Sequence, residues 1–185
     1  MSLSHYVAGI DFGTTNSAVS VSDGRTPRMV QIAPNSDTIP TALFFDDNDK
    51  KIYMGHDAHK KYRDPFSEGR FMRSLKRILG TPTMSTGTQI RGKYTKFEDI
   101  IGYFIKYLKE KLDASVNQSV TDVVLGRPVH FRDNDASGDA AAQKQLEQIA
   151  RNAGFVNIGF QYERIANLHF SFSIFLIIST DVYVK

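Results

Sequence analysis

Four residues near the start of the chain have types and spacing suited to phosphate and a hard metal ion: Asp11, Gly13, Thr14 and Thr15. Asp11 follows the short apolar run Tyr6 to Ile10. A carboxylate at the end of such a run can hold a hydrated Mg²⁺, which prefers oxygen ligands and keeps several waters. Gly13 can adopt a backbone conformation closed to other residues and lets a ligand approach closely. Backbone N–H groups in a turn of this kind form a small anion-binding concavity. The Thr14 and Thr15 hydroxyls can donate to phosphate oxygens. Together these parts make a site for the phosphate tail of a nucleotide. The same residues also make an ordinary hairpin turn, because Asp, Gly, Thr and Asn all turn well.

The elements that must position this turn are read from periodicity and punctuation. Tyr6 to Ile10 and Ala18 to Val21 flank it and predict two antiparallel strands. Ser22-Asp23-Gly24 predicts a hairpin onto a third strand, Arg28 to Ala33. Ile39 to Phe45 predicts a strand entered through Pro40, and Lys51 to Met54 a short one. Asp46-Asp47-Asn48-Asp49 is a polar turn, without the spaced oxygens and final Glu of a calcium loop. His56 and His59, three apart, predict a surface helix, with a metal seat as the rarer alternative. Phe71, Leu75, Ile78 and Leu79 share one face and predict a helix over 71–79, stopped by Gly80. Gly80 to Gly92 predicts an exposed loop. A long helix is predicted from Thr95, with Thr95 and Glu98 as a capping box and Phe97, Ile100, Ile101, Phe104, Leu108 and Leu112 as its inner face. Val120 to Leu125 predicts a buried strand parallel to its neighbour. Arg132 to Gly138 is a polar loop. A helix over 140–153, closed by Gly154, and a strand over 158–162 follow. The order suits one mixed sheet covered by helices.

Gly9-Ile10-Asp11-Phe12-Gly13-Thr14-Thr15-Asn16-Ser17 resembles the first phosphate motif of the seventy-kilodalton heat-shock chaperones of the DnaK type. These are actin-like ATPases, a superfamily that also includes sugar kinases. The resemblance implies an α/β fold: a ribonuclease-H-like lobe whose mixed sheet has antiparallel first strands and parallel later ones, with helices packed on it. It implies ATP or ADP with Mg²⁺ as cofactors. Gly13, Thr14, Thr15 and Asn16 would bind the nucleotide. Ser74-Leu75-Lys76-Arg77-Ile78-Leu79-Gly80 is similar to the segment carrying the family's catalytic lysine, which lands on Lys76. Taken alone, Lys76 reads as an exposed helix lysine. Phe160-Gln161-Tyr162-Glu163 is similar to the strand leading to the family's Glu-Pro motif. That lands on Glu163, which would join Asp11 in holding Mg²⁺ and catalytic water; Arg164 stands where proline is expected. Val123 to Phe131 resembles the segment with the proline proposed to relay nucleotide state, landing on Pro128. Its Gly-Arg-Pro-Val wording looks closest to the YegD-like subgroup.

The resemblance covers about residues 6–166. Residues 1–166 are therefore expected to form the first lobe and 167–185 an atypical apolar tail, Leu168 to Ile178 alternating briefly and then becoming wholly apolar. A second lobe with a second phosphate loop and an adenosine pocket is expected in a complete family member. Two functions follow. One is an ATP-binding, Mg-dependent chaperone-like ATPase present only as its N-terminal lobe and without turnover alone. The other is a non-catalytic half-domain that binds a partner, or a sugar-kinase-like relative. Unfolded clients and co-chaperones would be partners of a full-length form. The chain has 185 residues, no cysteine and a net charge of +3. That excludes thiolate zinc sites and disulfides and gives no charge argument for nucleic acid. No basic-then-apolar leader opens the chain, and no apolar run reaches the roughly 18 residues of a membrane span. Cytoplasm is the expected compartment, with neither membrane nor nucleic acid as partner.

Overall fold

Alternation of side chains along the first strands decides which face meets the helices. The computed structural model describes residues 5–128 and 135–162. Strand β1 (Val7–Phe12) runs antiparallel to β2 (Asn16–Ser22), with Phe12 opposite Ser17. Strands β3 (Arg28–Met29) and β4 (Thr38–Pro40) both pair antiparallel with β2. A second, antiparallel sheet is built from β5 (Ala42–Asp46), β6 (Ile52–Met54) and β7 (Gly69–Arg73), in the order β6-β5-β7. Helix α1 (Gly55–Arg63) links β6 to β7. A hairpin of β8 (Gly87–Ile90) and β9 (Lys93–Lys96) precedes helix α2 (Phe97–Val116). Strand β10 (Asp122–Arg127), helix α3 (Ala136–Asn152) and strand β11 (Asn157–Tyr162) complete the described chain. The main sheet has the order β11-β10-β1-β2-β3; β1, β10 and β11 are mutually parallel.

Ala8, Ile10 and Phe12 of β1, Val19 and Val21 of β2, and Val123 and Leu125 of β10 all enter one core. Ile100, Ile101, Phe104, Ile105, Leu108 and Leu112 of α2 meet them, each with no accessible surface. Burying side chains of this size contributes about 1.5–3 kcal/mol each before conformational entropy is counted. Leu146, Ile149 and Ala150 of α3 close the same core. The mixed α/β sheet expected from the order of elements is the sheet observed.

Five local expectations are corrected. The strand over 39–45 breaks at Thr41: Thr38–Pro40 pairs with β2, whereas Ala42–Asp46 pairs with β6 and β7. One segment therefore serves two sheets. The helix over 71–79 is a strand followed by a 3₁₀ turn, Leu75–Ile78, with Ser74 in the left-handed region at φ 58°. Phe71 and Met72 take up pairing with Phe44 and Leu43, and this sheet contact overrides a spacing that also fits a helix. The loop over 80–92 holds strand β8. Arg91 (φ 52°) and Gly92 (φ 73°) form a two-residue turn with both residues left-handed, the geometry that matches strand twist in a hairpin. That hairpin consumes Thr95, which pairs with Thr88. Helix α2 therefore starts two residues later, after Lys96, without a side-chain cap. Helix α3 starts earlier than expected, because the Asp135 carboxylate accepts from the Gly138 N–H at 2.8 Å. That bond satisfies one orphan donor of the first turn.

Candidate functional site

The turn between β1 and β2 lies at the carboxyl end of β1. The carboxyl ends of the parallel strands β10 and β11 lie at the same edge, at Arg127 and Tyr162. In open sheets of this kind, the crevice outside the carboxyl ends is where ligands bind. Asp11 points to the face opposite α2, since its neighbours Ile10 and Phe12 enter the helix-side core. It is 8% exposed. Gly13 and Thr14 are half-buried, and Thr15 and Asn16 are exposed.

Gly13 does not adopt a positive φ. What demands glycine is proximity: a Cβ there would lie 2.1 Å from the Asn16 carbonyl oxygen. The turn folds back on itself too tightly for any side chain.

A seam holds the turn in place. The Thr41 N–H donates to the Thr15 carbonyl at 2.8 Å. The Ser17 and Thr41 hydroxyls meet at 2.7 Å in a buried pair. Asn16 lies opposite Pro40. Thr41 is the residue at which the chain passes between sheets, so one residue pins the turn of the first sheet to the edge of the second.

The same register delivers Lys76. Arg73, the last residue of β7, lies opposite Ala42, where the ladder ends. The left-handed Ser74 then sends the chain into the 3₁₀ turn that carries Lys76. Lys76 is 9% exposed, not the exposed helix lysine that its local sequence suggests. Leu75 and Leu79 sink into the main core on either side of it. After the turn, the Gly80 N–H donates to Gln145 Oε1 of α3 at 2.8 Å, and a Cβ at Gly80 would lie 2.2 Å from the Gly138 carbonyl oxygen. The Lys76 segment is thus tied to α3 through Gly80 and Gln145.

Arg127 was not singled out by the sequence. It is buried at the end of β10, donates to Gln143 Oε1 of α3 and, through Nε, to the Pro128 carbonyl at 3.3 Å. The local signal was a charged residue directly after the apolar run Val123 to Gly126. Pro128 is half-buried beside it. Glu163 lies outside the described residues, as does the 167–185 tail. His56 and His59 do lie on α1. Among the described residues, no group of His, Cys, Asp and Glu is arranged to hold a metal ion directly.

Comparison with known proteins decides the family. Residues 7–150 match the Hsp70 protein family. The chain belongs to the Hsp70 family. It is 31% identical over 161 residues to the chaperone protein DnaK of Mycoplasma mycoides, covering 87% of this chain and 24% of that protein. It is 30% identical over 159 residues to a chaperone protein HscA homolog of Rickettsia bellii, covering 79% of this chain and 24% of that protein. DnaK of Metamycoplasma hominis gives 30% over 162 residues, 88% and 24%. The chain thus spans about a quarter of the length of these Hsp70-family relatives. Its mixed sheet and packed helices are consistent with the actin-like ATPase lobe of that family.

Proposed function

We propose that residues 1–166 form one wall of an Hsp70-type ATP/ADP site and that this wall alone does not turn over ATP. Gly13, Thr14, Thr15 and Asn16 grip the phosphate tail. Asp11, with Glu163, holds a hydrated Mg²⁺, which supplies charge neutralisation at the phosphates. Lys76 brings a point charge to the terminal phosphate and orients water. The observation that supports this reading is the tight turn at the carboxyl end of β1, where a Cβ at Gly13 would meet the Asn16 carbonyl and the Thr41 N–H holds the Thr15 carbonyl. In-line phosphoryl transfer is mostly positioning and charge stabilisation. Groups held from one side only cannot sustain that geometry. A half-domain of the chaperone branch, cytoplasmic and free of nucleic-acid or membrane contacts, fits the family match better than a sugar kinase. Client proteins and co-chaperones belong to the full-length form. The proposed lobe ends at residue 166, ahead of the apolar sequence of 167–185.

Two measurements on the 185-residue chain test this. Calorimetry with Mg-ADP is expected to give weak binding that Thr14→Ala/Thr15→Ala abolishes. Steady-state phosphate release is expected to stay at the buffer rate. Nucleotide binding that survives the double substitution would overturn the turn as the phosphate grip. Phosphate release abolished by Lys76→Ala would overturn the claim that one wall is inert.

A further inference from the structure

Helix α1 carries a stripe that the nucleotide reading does not use. His56, His59, Lys60 and Arg63 stand at i, i+3, i+4 and i+7, and so share one face. That face lies opposite Ala58, the residue α1 buries against Phe44 and Ala42. His56, Lys60 and Arg63 are exposed. Strand β7 adds to the stripe. Phe71 and Arg73 point to the α1 side of their sheet, alternating with Met72, which enters the other core. The His59 ring meets Phe71 edge-on at 5.1 Å, and Tyr62 stacks on Phe71 at 4.4 Å. Tyr62 is 61% exposed, and Phe66, just beyond the helix, is 86% exposed.

Of the nearby carboxylates, Asp46, Asp49 and Asp64 are engaged elsewhere. Asp46 and Asp49 lie at 2.7 and 3.6 Å from Lys61, on the other shoulder of α1. Asp57 is on that shoulder too, facing Tyr107. Asp64 accepts from the Phe66 N–H and the Ser67 hydroxyl. β4 brings no charged side chain to α1. His56, His59, Lys60, Arg63 and Arg73 make no ion pair among the described residues. The charges acting on His59 are all positive, from Arg63, His56 and Arg73.

We propose that this face of α1 and β7 is a docking surface for an acidic protein segment that interleaves carboxylates with aromatic or aliphatic side chains. The carboxylates meet the His56–Lys60–Arg63–Arg73 cluster, and the apolar side chains cover Tyr62 and Phe66. A protein segment fits better than nucleic acid. One face of the Tyr62 ring is already taken by Phe71, and the cationic stripe spans only the two turns of one short helix, whereas single-strand binders track a longer charged groove with free aromatic platforms.

The test uses the full chain and a fluorescein-labelled 16-residue peptide of alternating glutamate and phenylalanine pairs, read by anisotropy. The peptide is expected to bind, and to bind more weakly as added salt screens the charges. Lys60→Glu/Arg63→Glu is expected to weaken it roughly tenfold, each reversal turning attraction into repulsion. Lys93→Glu/Lys96→Glu on the exposed β9 makes the same change in net charge elsewhere and is expected to leave binding unchanged. Equal affinity for the glutamine version of the peptide would overturn the proposal. So would equal loss in both charge-reversed variants, or tighter binding of a single-stranded oligonucleotide than of the peptide.

Discussion

The hydroxyls of Ser17 and Thr41 meet at 2.7 Å with almost no access to solvent, joining the strand after the candidate phosphate turn to the crossing point between the two sheets. Neither hydroxyl has water as a substitute partner. Ser17→Ala and Thr41→Val are each expected to cost about 1–3 kcal/mol, the penalty of an orphaned buried hydroxyl. The double variant is expected to cost clearly less than the sum. Urea denaturation of the four proteins gives the cycle directly.

Two glycines are expected to respond in opposite directions to the same substitution. Gly13→Ala sets a Cβ 2.1 Å from a backbone oxygen, and overpacking of this kind costs about 1–3 kcal/mol. Gly102 lies within α2, where an added methyl group would meet nothing within 4 Å. Gly102→Ala is expected to stabilise by about 1 kcal/mol, through helix propensity and a less flexible unfolded chain. Thermal melts separate the two signs.

Stability is expected to fall with acid in two stages. His59 is held below the ordinary imidazole value of 6.5, by burial first and then by Arg63, His56 and Arg73. A folded state that resists protonation loses stability as pH falls below 6.5, and none above it. His59→Gln should flatten that first slope. Asp46 is held below 3.8, chiefly by the Lys61 ammonium at 2.7 Å and by the Asn48 and Asp49 N–H groups. Its contribution is complete above 3.8 and disappears as pH falls through the lowered value. Lys61 is raised by the same pair, so its share persists through neutral pH and is lost only in strong alkali. Asp46→Asn should remove the second stage. Denaturation midpoints measured from pH 8 to pH 2.5 give both slopes.

Arg91 is expected to be intolerant of lysine. Its guanidinium donates to the carbonyls of Lys50, Asp46 and Lys51, each at 2.8 Å. That fork ties the β8–β9 hairpin to the turn between β5 and β6. A lysine ammonium is a single point and cannot span three acceptors. Arg91→Lys should cost about 1 kcal/mol and speed amide exchange in residues 46–51, with little change in the main sheet.

Much of the architecture was legible along the chain. The β1–β2 turn, the inner face of α2, the parallel β10 and the helix closing at Gly154 follow from short-range patterns: alternation, three- and four-residue spacing, and turn residues. The failures share one cause. Phe71, Leu75, Ile78 and Leu79 satisfy helical spacing, yet β5 offers an open edge, and Phe71 and Met72 pair with it. Thr95 and Glu98 spell a capping box, yet Thr95 is spent in a hairpin whose turn depends on a left-handed arginine. Local preference is worth tenths of a kcal/mol per residue, and a sheet edge or a core contact outweighs it.

For the candidate site, the residue types came from sequence alone: the carboxylate at Asp11, the glycine at 13, the hydroxyls at 14 and 15, and a lysine in the segment around 76. Their arrangement did not. Thr41 lies 24 residues from Ser17 and gives no local hint that it locks the turn. Arg127 and Gln143 are bonded through a helix packing that neither residue's neighbours encode. Chemistry is carried by side-chain identity, which the sequence states outright. Position is carried by contacts between distant segments, and those exist only once the core under α2 and α3 has closed.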